Sequence, residues 1–93
     1  MLSKIPFETK SISKEDLDKE IARVGIIAEL DAINLYEQLA AMTGNPLLKK
    51  VLLDIAREEK VHVGEFQELL VRLDKEQEPS LEEGKDEVSE MTD

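Results

Sequence analysis

One short break divides an otherwise continuous helical pattern, and it lies at Thr43-Gly44-Asn45-Pro46. Before it, apolar residues recur at helical spacing from Ser13 to about Met42, with no proline and only Gly25 interrupting. After it, the same spacing resumes at Leu47 and runs to about Glu76, where Pro79 is expected to end it. Gly44 suits a left-handed helix end, Asn45 an N-cap and Pro46 a first helical position. Ser13, with Asp16 three residues on, makes a variant capping box at the start of the first run. Two helices of roughly 28–30 residues, each about 42–45 Å long, joined by so tight a turn must fold back antiparallel. The expected fold is all-α: an antiparallel two-helix hairpin. Residues 1–12 read as an irregular N-terminal arm and 13–78 as the hairpin. Residues 79–93 read as an acidic tail or linker, either flexible or forming a short C-terminal helix that Gly84 weakens.

A chain of 93 residues buries only a modest core by itself, so association is a natural way to complete it. There is no cysteine, which excludes disulfides, thiolate zinc sites and thiol catalysis and fits a reducing cytoplasm. Nothing argues for a membrane span or a secretion signal. With 22 acidic against 12 basic residues the net charge is −10, which disfavours nucleic acid and favours attraction of cations.

Most of these acids belong to a solvated face, but two do not. At about 100° per residue, Asp16, Glu20, Arg23, Asp31, Asn34 and Gln38 share the polar side of the first helix. Glu29 falls about 150° away, among Gly25, Ile26, Ala32, Ile33 and Tyr36. In the second helix Glu59 falls near the middle of the stripe that holds Leu52, Ile55, Val63, Phe66 and Leu70. Glu58 lies at its margin and Glu65 on the solvent side. His62, the only histidine, is three residues after Glu59 and within the same stripe. Burying an isolated carboxylate costs several kcal/mol, a large share of the roughly 5–15 kcal/mol that stabilises a small domain. No basic residue lies on either apolar face to offset it, whereas a bound cation would do so directly.

A Glu-x-x-His pair on a helix is a ligand unit of carboxylate-bridged di-metal sites in four-helix bundles. Such a site takes one Glu from each of two helices and a Glu-x-x-His from each of two others. This chain supplies Glu29, Glu59 and His62, which is half of the set. Two chains about a two-fold axis would supply the whole, at their interface, and would cover both apolar faces. Carboxylates with one imidazole per ion suit Fe(II), Mn(II) or Co(II) and tolerate Zn(II), which cannot change oxidation state. Tyr36, two turns after Glu29, is either a neighbour of such a centre or a packed aromatic with a solvated hydroxyl.

Two segments carry a resemblance: Ala28-Glu29-Leu30-Asp31-Ala32-Ile33-Asn34-Leu35-Tyr36-Glu37 and Ile55-Ala56-Arg57-Glu58-Glu59-Lys60-Val61-His62. Over about residues 10–75 the chain resembles the encapsulated ferritins of the ferritin-like superfamily. The resemblance implies a hairpin that dimerises into a ferritin-like four-helix bundle, with dimers assembling to a ring-shaped decamer. It implies a ferroxidase that oxidises Fe(II) to Fe(III) with oxygen at a di-iron centre shared by two subunits. Other divalent metals can substitute there. It also implies a cytoplasmic location inside an encapsulin nanocompartment that stores the iron. By position, Glu29, Glu59 and His62 become the iron ligands and Tyr36 a catalytic neighbour. Asp31 matches one residue of a site through which metal enters, while Ala28 replaces the other. Leu35 replaces an aromatic found in some relatives. Many relatives end in an apolar peptide that docks on the shell protein, and Val88-Ser89-Glu90-Met91-Thr92-Asp93 does not look like one. In some archaeal members the shell protein is fused C-terminally, an arrangement the acidic tail would suit as a linker. The shell partner is therefore expected either as a separate protein or as a C-terminal fusion.

Two other functions remain open from the sequence. A rubrerythrin-like di-iron peroxidase normally draws electrons from a cysteine-ligated iron site, and there are no cysteines here. A non-catalytic, metal-binding helical oligomer is the other.

Overall fold

The computed structural model of the chain describes residues 13–92. These residues form three α-helices and no strand: α1 Lys14–Met42, α2 Pro46–Leu73 and α3 Gln77–Met91. The expected N-terminal arm, residues 1–12, lies outside the described residues.

The start of each hairpin helix is set by short-range hydrogen bonds. Ser13 Oγ accepts from the Asp16 N–H at 3.2 Å and starts α1. Asn45 Oδ1 accepts from the N–H groups of Leu47 and Leu48, both at 3.0 Å, and starts α2, with Pro46 next to it. The connection differs from the left-handed Gly44 cap expected of it. No described residue has a positive φ. α1 instead ends on extended Thr43, whose N–H donates to the Leu39 carbonyl at 3.1 Å. Thr43 Oγ1 then accepts from the Asn45 N–H at 3.1 Å. These bonds satisfy the turn's polar groups through two extended residues, Thr43 and Asn45, so Gly44 has no left-handed conformation to supply.

The second correction is at the far end. α2 does not continue to Glu76, and Pro79 does not end it. The helix stops at Leu73 because Asp74 draws the backbone out of it. The Asp74 Oδ1 atom accepts from the Glu76 N–H at 3.0 Å, an alternative to the helical ladder. Its Oδ2 atom accepts from Arg23 Nη2 at 3.0 Å, tying the corner to α1. Pro79 falls in the first turn of α3, where a missing N–H leaves no carbonyl unserved. The segment expected as a tail or short helix is thus a 15-residue helix running through Gly84. It buries no side chain and touches the hairpin only lightly, mainly through α2.

α1 and α2 pack along their length, with alanines prominent among the buried residues. Ala22, Ile33 and Ala40 from α1 and Ala56 and Leu70 from α2 are the buried apolar residues among those described. Many larger ones stay in the open, among them Leu30 at 48%, Leu35 at 51% and Val61 at 57% exposure. With α3 splayed from the hairpin the molecule is flat, 47 × 44 × 19 Å. No helix among the described residues is long and apolar enough to cross a membrane.

Candidate metal centre

The hairpin brings the middle of α1 against the middle of α2, and three side chains converge there. Glu29, Glu59 and His62 each offer a ligand atom, and the three atoms lie within 4.8 Å of one another. The two carboxylates are largely buried, with side chains 20% and 19% exposed, while His62 is 45% exposed. Helical period explains the choice of acid: Glu58 and Glu65 are exposed.

The hydrogen bonding is incomplete in an informative way. His62 Nδ1 lies 3.3 Å from Glu59 Oε2 and 3.4 Å from Glu29 Oε2. One ring nitrogen carries at most one hydrogen and cannot satisfy both oxygens. Only the Glu59 contact has hydrogen-bond geometry. Glu29 Oε2 is buried with no hydrogen-bond partner. No lysine or arginine among the described residues pairs with either acid; Lys60, next to Glu59, instead binds Glu37 at 3.2 Å. Two carboxylates and an imidazole nitrogen facing a common point, with one oxygen orphaned, form a donor set that fits a divalent cation.

The other expected site residues lie outside this cluster. Tyr36 is half-buried two turns beyond Glu29 and makes no hydrogen bond with Glu29, Glu59 or His62. Asp31 is half-buried, and neither it nor Ala28 belongs to the convergent group. Two features went unread in the sequence: the Asp74 corner, and the seat of Phe66 on Gly25 one turn from the cluster. The only signal for the second was a glycine interrupting an apolar helix face.

The sequence profile of the rubrerythrin family matches residues 20–92. The chain belongs to the rubrerythrin family. Members of this ferritin-like family bind iron. Among the relatives of this rubrerythrin-family chain is a ferritin-like–encapsulin shell fusion protein of Pyrococcus furiosus, 57% identical over 83 residues. The match takes in 89% of this chain and 24% of that protein. The encapsulin nanocompartment cargo protein EncC of Myxococcus xanthus is 42% identical over 69 residues, 71% of this chain and 53% of that one. The chain thus spans about a quarter of one curated relative and about half of the other. In fold it matches the crystal structure of the encapsulated ferritin domain from Pyrococcus furiosus with a TM-score of 0.85 and 49% identity. That match covers 99% of this chain and 96% of the other. The all-α, ferritin-like architecture expected from the sequence is the one observed.

Proposed function

We propose that the chain is a ferroxidase, oxidising Fe(II) to Fe(III) with oxygen at a di-iron centre completed by two subunits. The observation that carries this reading is the convergence of Glu29, Glu59 and His62 around the orphaned Glu29 oxygen. One chain holds three donors, too few for two iron ions and suited to half of the arrangement described above. A second copy about a two-fold axis supplies the other half and gives the exposed apolar side chains of the hairpin a partner.

Iron held by Glu29, Glu59 and His62 would supply one-electron redox chemistry. The chain's own residues prepare the site for it. Glu29 and Glu59 attract and hold the cations, and their charges favour Fe(III) over Fe(II) as it forms. His62 adds one nitrogen donor, Nδ1 being the ring atom that faces both carboxylates. Tyr36 is proposed as a neighbour of the centre, and Asp31 as part of the path by which metal enters.

The further assembly is a ring-shaped decamer working with an encapsulin shell, inside the shell's compartment, where the product iron is stored. The named relatives support the encapsulin partner, one as cargo and one as a fusion.

The test is stopped-flow formation of ferric iron from Fe(II) in air. Glu29→Ala, Glu59→Ala and His62→Ala are expected to lose turnover with helicity retained, and Glu58→Ala to keep it. Unchanged oxidation in the first three would reject the site. Rapid turnover with hydrogen peroxide and none with oxygen would reassign the protein to the peroxidase chemistry of rubrerythrin.

A further inference from the structure

Among the described residues, Gly25 is the one glycine with a close neighbour. A Cβ placed on it would lie 2.6 Å from both Cδ1 and Cε1 of Phe66 and 2.8 Å from Cζ. Gly44, Gly64 and Gly84 have nothing within 4 Å of that position. Its φ is not positive, so the backbone does not require glycine there. Glycine is unfavourable inside a helix, and what Gly25 provides is room: a notch on α1 that takes the ring of α2.

The notch stands beside the donor cluster. Gly25 is one turn before Glu29, and Phe66 is one turn after His62. Residues four apart share a helix face, so the same face of each helix carries both the pin and the ligand. The ring in its notch fixes separation and register at that level. One turn on, Glu29 Oε2 faces His62 Nδ1 at 3.4 Å.

We infer that Gly25 and Phe66 are positioning residues for the metal centre, a register pin that holds Glu29 against Glu59 and His62. The inference rests on the reading of this cluster as a metal site. A methyl group at residue 25 leaves two responses. Either the helices part, or the Phe66 ring swings into the shallow apolar groove it shares with Ile21, Ala22 and Leu69. Both release the pin. Metal ligation tolerates about 0.2 Å, far less than the overlap that must be relieved.

The experiment is a double-mutant cycle on Co(II) binding by the assembled protein, read by calorimetry and by the visible spectrum of the bound ion. Gly25→Ala is expected to weaken Co(II) about tenfold to a hundredfold, the scale for disturbed supports of metal ligands. Phe66→Leu, which empties the notch, is expected to weaken it severalfold. The double variant, in which the new methyl fills the space the ring vacated, is expected to recover most of the affinity. Thermal unfolding in chelator separates stability from ligation. Gly25→Ala binding Co(II) like the unaltered protein would overturn the inference and leave the metal site standing. Equal binding by Glu59→Ala and the unaltered protein would overturn the metal site itself. If Gly25→Ala does not fold, the comparison of Phe66→Leu with the double variant still decides: affinity must rise when Gly25→Ala is added to Phe66→Leu, and a further fall refutes the pin.

Discussion

Replacing Glu29 by glutamine is expected to stabilise the metal-free protein and to abolish its stabilisation by metal. The wild-type side chain is only one-fifth exposed, and its Oε2 atom is buried without a hydrogen-bond donor. A buried, unsatisfied polar atom costs about 1–3 kcal/mol. Glu59, with an oxygen in the same 4.8 Å cluster, adds like-charge repulsion. Glutamine keeps the shape, removes the charge, and offers Glu59 a donor. The metal-free variant should gain about 1–2 kcal/mol per chain, which for a chain of this size raises the midpoint by roughly 4–16 °C at about 4–8 °C per kcal/mol. Metal should act in the opposite sense. Co(II) at about a hundred times its dissociation constant stabilises the wild type by about 2.7 kcal/mol, and the glutamine variant, one carboxylate short, by little. Thermal unfolding in chelator and in Co(II) measures both shifts on the same two proteins. A variant that is no more stable than the wild type in chelator, yet responds fully to Co(II), would refute the account of Glu29 as a carboxylate kept for its cation.

The remaining predictions concern the corners of the fold. Asn45→Ala removes the acceptor for two N–H groups and should cost about 1 kcal/mol of stability by urea unfolding. Asp74→Ala loses the bonds to Arg23 and Glu76 and should cost about 1–2 kcal/mol, with spin-label distances from α3 to α1 broadening as the corner loosens. Pro79→Ala should leave those distances unchanged, because Asp74, not Pro79, ends α2; a continuous α2–α3 helix in that variant would show the opposite.

What the sequence discloses and what it hides divide by range. The starts of α1 and α2 were legible because Ser13 and Asn45 act on N–H groups two or three residues away. Glu59 could be separated from Glu58 because helical period alone decides which of two neighbours turns inward. The end of α2 was not legible in the same way, since it depends partly on Arg23, 51 residues from Asp74. Pro79 then misled, because proline both follows helix ends and sits in helix starts, and only the bonds of Asp74, from the Glu76 N–H to its side chain and from its own N–H to the Leu70 carbonyl, tell the two apart. Gly44 misled for a similar reason: a glycine can take a left-handed cap, but Thr43 and Asn45 made it unnecessary. The donor cluster combines both ranges. Each ligand's face follows from local period, while their meeting requires the two helices to be in register. Register is a property of contacts such as Phe66 on Gly25, which the sequence shows only as an interrupting glycine. A composition-preserving slip of one helix by a single turn would keep every amphipathic pattern intact. It would also separate Glu29 from His62 by about 5.4 Å, more than the span of the cluster. The proposed chemistry of this chain is therefore specified less by its three candidate ligands than by the packing that aligns them.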